Sequence, residues 1–168
     1  MSPTARSRAR RRSAGLLLFR TPARKSTLLE VLLVHPGGPL WAKKDLGAWS
    51  IPKGEYEDDE DPLAAARREF AEELGAPPPE TEGVEPIELG EVRQKSGKRV
   101  IAWALAGDFD ADQIASNTFT MEWPPRSGRA HAFPEVDRAQ WFRIAEARQR
   151  INPAQAELLD RLVQALTA

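Results

Sequence analysis

The stretch from Gly54 to Ala76 (GEYEDDEDPLAAARREFAEELGA) constrains this chain more than any other. Asp61 and Pro62 predict a helix start: aspartate accepts backbone N–H groups at an N-cap, and proline suits the first helical position. Gly75 predicts the helix end as a left-handed C-cap. At about 100° per residue, Leu63, Phe70 and Leu74 fall on one apolar stripe. Glu69, Glu72 and Glu73, spaced i, i+3 and i+4, gather on the other side, where like charges repel. That arrangement costs stability unless a cation sits among the carboxylates. Hard oxygen ligands select Mg²⁺, Mn²⁺ or Ca²⁺. A plain solvated acidic face is the competing reading of such a charge run.

The positions of Gly54, Glu60, Arg68, Glu69, Glu72, Glu73 and Gly75 decide between the two. They match Gx5Ex7REUxEExGU, where U is a bulky aliphatic residue, and the chain thereby resembles the Nudix hydrolases. With each residue type at roughly 7% usage, seven fixed positions coincide by chance on the order of once in 10⁸ windows. Phe70 and Ala76 occupy the U positions, so the packing expected beneath the helix differs in detail.

The resemblance implies an α/β fold, a Nudix-type α/β/α sandwich around a mixed β-sheet. It also implies hydrolysis of a nucleoside diphosphate linked to a further group, with Mg²⁺, or Mn²⁺ in its place, as cofactor. Carried over by position, Glu69, Glu72 and Glu73 hold the metal together with the Gly54 carbonyl. Arg68 orients Glu69, and Glu60 ties the preceding loop to the helix. A further carboxylate is expected from outside the motif. Asp108, Asp110, Asp112, Glu122 and Glu135 compete, and Glu135 is preferred because it precedes Trp141 by six residues, a spacing seen in several polyphosphate-cleaving members. Glu122 is the runner-up. The loop before the motif faces substrate in the family, which makes Lys43, Lys44 and Lys53 candidate phosphate contacts. In MEWPPRSGR, Trp123 is a candidate stacking group, and Arg126 or Arg129 a candidate phosphate grip.

Composition adds limits. At 168 residues the chain fits one domain with a substantial core. It has no cysteine, which excludes a disulfide framework, a cysteine zinc site and a thiol nucleophile. A net charge of −1 supplies no global field toward nucleic acid, and no apolar run approaches the roughly 18 residues of a membrane span. The expected partner is therefore a nucleotide or another diphosphate-containing small molecule, and the expected location is cytoplasmic. Residues 1–12 carry five arginines and no acid, and read as a disordered basic tail preceding a single domain over 13–168.

Along that domain, Ser13 to Arg20 and Thr27 to Val34 predict buried strands joined by a Pro-containing turn. Trp49 to Pro52 predicts a short strand, and Ile87 to Lys95 with Arg99 to Ala106 a hairpin. Gly107 to Phe119 predicts a loop with one helical turn, and Met121 to Arg129 an irregular loop. Glu135 to Phe142 predicts a late strand. Pro153 to Leu166 predicts a closing helix capped by Asn152, with Leu158, Leu159, Leu162, Val163 and Leu166 inward. His35 reads as a strand-end residue.

Substrate is less legible. The segment WSIPKGE resembles the corresponding stretch of diadenosine tetraphosphate hydrolases and messenger-RNA decapping enzymes. Yet Arg93 stands where the diadenosine polyphosphate group carries tyrosine, and Glu91 where ADP-ribose pyrophosphatases carry proline. A nucleoside polyphosphate, (d)NTP or dinucleoside polyphosphate, is the expectation. Diphosphoinositol polyphosphates, capped RNA and a non-catalytic nucleotide sensor are the alternatives. The isopentenyl-diphosphate isomerases of this fold use a cysteine, which is absent.

Overall fold

A computed structural model describes residues 12–21 and 28–168. The basic segment 1–11 and the turn expected between the first two strands lie outside those residues. Among the described residues, eight strands and three α-helices follow one another as β1 (Arg12–Arg20), β2 (Glu30–Pro36), β3 (Lys53–Glu55), α1 (Pro62–Leu74), β4 (Ile87–Arg93), β5 (Arg99–Ala106), β6 (Thr118–Glu122), β7 (Ala130–Pro134), β8 (Val136–Arg143), α2 (Ile144–Arg150) and α3 (Ala156–Thr167). Strand β1 begins at Arg12, one residue inside the expected tail.

The main sheet runs β4-β5-β1-β2-β8 and is mixed: β1 and β5 are parallel, the other pairs on this path antiparallel. Successive side chains of a strand point to opposite faces, and here both faces are covered. Leu17, Phe19, Val31, Leu33 and Phe142 pack with Ala147 of α2 and Leu158, Leu159 and Leu162 of α3. Leu16, Leu18, Leu32 and Val34 pack on the other side with Ala65, Ala66, Phe70 and Leu74 of α1. The result is the α/β/α sandwich expected. Two-sided burial explains why β1 and β2 read as continuous apolar runs.

One edge of β1 is shared. Its C-terminal end pairs with β2, at Phe19 with Val31, while Ser13, Ala14 and Gly15 pair with Glu55, Gly54 and Lys53 of β3. Residues 49–55 thus wedge between β1 and β2. Val34 and Ser50 exchange backbone hydrogen bonds of 2.9 and 3.0 Å, and the Leu16 N–H donates to the Pro52 carbonyl at 3.1 Å. Trp49 to Pro52 is therefore not the regular strand expected: it makes single bridges, and the ladder forms one step later, at Lys53–Glu55. Buried Gln155 accepts the Ile51 N–H at 3.0 Å, a donor that no strand partner takes.

Other differences have local causes. Leu63 is only half-buried, and the stripe of α1 is instead filled by Ala65 and Ala66 beside Phe70 and Leu74. Small side chains there let the helix approach the sheet. Met121 to Arg129 is not an irregular loop: its first two residues end β6, which pairs with β7 from Thr118–Pro134 to Glu122–Ala130 as a separate two-stranded sheet. Those strands are mostly exposed, so they carry no hydrophobic period. The Trp123–Pro124 peptide is cis, and Arg126 adopts φ 62° in the turn. Helix α2 was not expected. The C-terminal segment starts as a 3₁₀ turn over Pro153–Gln155, capped by Asn152, before α3. Leu166 is 41% exposed and does not join the core. Among the described residues, no helix is long and apolar enough to cross a membrane.

Candidate active site

The site is built on α1. Asp61 caps the helix by accepting the Ala64 N–H at 3.0 Å, and Gly75 closes it at φ 82°. Pairing of β3 with β1 then lays Gly54 against the middle of the helix. A Cβ on Gly54 would overlap the Glu69 carboxylate. Only glycine lets the backbone come this close, and it brings the Gly54 peptide beside Glu69.

Arg68 organises the neighbouring acids. Its Nε and Nη2 fork onto Glu60 at 3.0 and 3.1 Å, and its Nη1 reaches Glu69 Oε1 at 2.8 Å and Glu72 Oε1 at 3.3 Å. The fork onto Glu60 holds the guanidinium firmly protonated, and in return keeps the Glu60 carboxyl below its usual range. Glu60 thus joins the acidic loop to the helix through Arg68.

Glu135 comes from the loop between β7 and β8 and is brought to the helix by a chain of backbone bonds. The Asn117 N–H donates to the Glu72 carbonyl at 3.0 Å, and the Glu135 N–H donates to the Asn117 carbonyl at 2.8 Å. The Gly37 N–H closes the turn on the Glu135 carbonyl at 2.9 Å. Burial raises the proton affinity of Glu135, and repulsion from Glu72 adds to it. Glu69 is raised by burial and then by Glu72, with Arg68 opposing. Glu73 is pushed up to about 8, chiefly by burial; Lys53 opposes, while Glu69 and Glu135 reinforce. Its Oε2 is buried with no hydrogen-bond partner. Lys53 is lowered by its own burial and by Lys98, with Glu73, Glu55 and Glu69 opposing.

Four carboxylates therefore share one field, with the half-buried Lys53 ammonium beside them. Glu69 and Glu72 are both turned to Arg68, so among the described residues no three acidic or histidine side chains form a preformed metal cage. The donor set nevertheless suits a hard divalent ion. It offers carboxylate oxygens and a backbone carbonyl, no sulfur or imidazole, and one buried oxygen without a partner.

The remaining candidates lie on other elements. Lys43 is exposed on the loop after β2, and the Lys44 ammonium sits 4.9 Å over the Trp41 ring. Trp123, Arg126 and Arg129 belong to the turn of the β6–β7 hairpin. Glu122 accepts the Gly128 N–H across that turn at 3.1 Å. Asp108 pairs with Arg20 at 2.6 Å, and Asp110 caps the 3₁₀ turn that contains Asp112. His35 is fully buried: its Nε2 donates to the Lys44 carbonyl at 2.6 Å, and Nδ1 lies 2.8 Å from Asp137. It anchors the loop after β2 and has no contact with the carboxylates. A wide hollow of about 1060 Å³ between Arg20, Trp141 and Asp108–Ile114 shares no residue with the cluster, and its acidic rim does not suit a polyphosphate.

A family model for the NUDIX domain matches residues 9–162. The chain belongs to the Nudix hydrolase family. Like its family, this Nudix protein is a hydrolase of phosphoric anhydride bonds. Its fold is similar to that of a C. elegans Ap4A hydrolase in a binary complex, at TM-score 0.63 and 21% identity over 92% of this chain and 98% of that one. It is also similar to the NUDIX domain of Shewanella oneidensis NrtR complexed with ADP ribose, at TM-score 0.62 and 20% identity over 99% and 94%. A mutT/nudix family protein from Listeria innocua aligns at TM-score 0.58 and 16% identity over 94% of each chain. No curated protein matches the sequence. Identities this low carry the fold and leave the substrate to the site itself.

Proposed function

We propose that this Nudix protein is a Mg²⁺-dependent pyrophosphohydrolase of nucleoside polyphosphates, (d)NTPs or dinucleoside polyphosphates. The observation that carries the reading is the meeting of Glu69, Glu72, Glu73 and Glu135 beside the Gly54 peptide, with the Glu73 Oε2 buried and unpartnered. One structural relative is an Ap4A hydrolase and another is complexed with ADP ribose, which supports a nucleotide-type ligand.

In this reading Gly54, Glu69, Glu72, Glu73 and Glu135 hold the divalent ions. When bound, these neutralise the phosphate charge and lower the pKa of the attacking water. Arg68 keeps Glu69 in place through the Glu60 fork, a supporting contact of the kind that orients metal ligands. Glu135, held by its backbone between Asn117 and Gly37 and raised in proton affinity, takes the proton of the water that attacks phosphorus. Lys53, beside Glu73, offers its ammonium to a phosphate oxygen. The P–O–P bridge breaks, and the departing phosphate carries its electrons.

A panel of nucleoside triphosphates, dinucleoside polyphosphates, ADP-ribose and a diphosphoinositol polyphosphate tests this, with phosphate and pyrophosphate release followed separately. Turnover should require Mg²⁺ or Mn²⁺ and stop with chelator. Full activity in metal-free buffer, or turnover confined to the inositol compound, would overturn it.

A further inference from the structure

The β2–β8 ladder ends in an irregularity. His35 pairs with Arg138 but Pro36 with Val136, so Asp137 is the extra residue of a β-bulge. A bulge re-aims a side chain out of the regular alternation of its strand. Here the Asp137 carboxylate lies 2.8 Å from His35 Nδ1, while His35 Nε2 lies 2.6 Å from the Lys44 carbonyl. Both partners are oxygen acceptors, and a neutral imidazole has one N–H to give. The ring itself is fully buried. Trp49 stands against it at 5.2 Å and 67° out of plane, and gives its own Nε1–H to Asp45 at 2.8 Å. Arg138 Nε comes within 3.8 Å of the same Asp137 oxygen.

We infer that His35 is held as an imidazolium whose two N–H groups clamp the loop after β2 to the start of β8, and that this clamp positions Glu135. The second half rests on the proposed role of Glu135; the first does not. Asp137 follows Glu135 by two residues in the chain. On the opposite segment, the Gly37 N–H, two residues beyond His35, donates to the Glu135 carbonyl at 2.9 Å. A Cβ on Gly37 would overlap the Pro134 carbonyl oxygen, so the two segments are in close contact there. His35 and Gly37 thus grip the stretch 134–137 at two points, and the Glu135 carboxylate stands between them in the field of Glu72. The buried cation has its counter-ion in Asp137, as a charge out of water requires. Loss of either ring N–H frees one arm of the clamp, the Lys44 carbonyl or the bulge. Glu135 then keeps its chemistry and loses its aim, and small misplacements of a reacting group are costly. His35 is a positioning residue.

Nitrogen-15 NMR of the metal-free protein at pH 7.5 tests the charge apart from hydrolysis. The other histidine of the chain, His131, is exposed, and His131→Gln removes its signals for assignment. His35 should show both ring nitrogens protonated, with two slowly exchanging protons; a single ring proton would overturn the imidazolium. A double-mutant cycle with a hydrolysed nucleotide tests the positioning. His35→Gln should lower kcat by about 10-fold or more while KM stays within about 3-fold. In a Glu135→Gln background the same substitution should lower kcat by less than about 2-fold, because its effect passes through Glu135. Equal losses in both backgrounds would overturn the positioning role. If His35→Gln does not fold, Asp137→Ala, at a side chain 33% exposed, runs the same cycle with the same expected outcomes. Two ring protons on His35 in a protein without any turnover would uphold the clamp and overturn the hydrolase reading.

Discussion

Glu73→Gln should make the metal-free protein more stable and the enzyme inactive, and the two effects should come from one cause. Glu73 has an ordinary value of 4.5 and is pushed up to about 8 in the folded chain, mainly by burial. An acid that holds its proton more tightly when folded lowers stability as pH rises between those two values. At about 1.4 kcal/mol per unit, the ionised side chain costs up to roughly 4 to 5 kcal/mol at pH 8 and above. Glutamine removes the charge but leaves its amide N–H₂ short of acceptors, at about 1–2 kcal/mol. With relaxation around the charge, the net gain is roughly 1–3 kcal/mol, or about 2–10 °C in Tm for a chain of this size. Thermal melts in EDTA from pH 5 to 8.5 should therefore show the variant's advantage growing with pH. Adding Mg²⁺ should raise the Tm of the wild type and not of the variant, and kcat should fall by at least about 100-fold. Parallel Tm–pH curves for the two proteins would refute the claim that Glu73 is a buried charge awaiting a cation.

The other expectations are simpler. Glu135→Gln should cut kcat strongly with Tm unchanged, and Glu122→Gln much less; the reverse order in a steady-state assay would move the outer carboxylate into the hairpin turn. Gly54→Ala places a methyl group on the Glu69 carboxylate and should abolish Mg²⁺-induced stabilisation, read as the loss of the Tm increment on adding metal. Gln155→Ala strands the Ile51 N–H beneath the site and should lower stability by about 1–3 kcal/mol, measured by urea unfolding; no change would mean that water satisfies the amide.

Much of this protein is local and so legible in the chain alone. Asp61, Pro62 and Gly75 define α1 because caps depend on the chemistry of a few adjacent residues. The spacing of Glu69, Glu72 and Glu73 puts them on one turn of any helix, and the same holds for the Arg68–Glu72 contact. The apolar runs of β1, β2 and β5 announce a sheet buried on both faces. The Nudix assignment followed from residues within that one short stretch.

What lay beyond it was decided by contacts between distant segments. Glu135 reaches the carboxylates because Asn117 bonds both the end of α1 and the Glu135 backbone, a bridge that no spacing rule contains. Lys53 lies among the acids because β3 pairs with β1 at Gly15, far away in the chain. The β6–β7 hairpin stayed hidden because its exposed strands bury too little to leave a hydrophobic period. Only the packing of the loop after β2 against β6 brings Trp41 and Phe119 around one cavity beside Glu135. Helical spacing is fixed by 3.6 residues per turn, whereas the distance between two loops is fixed by everything packed between them.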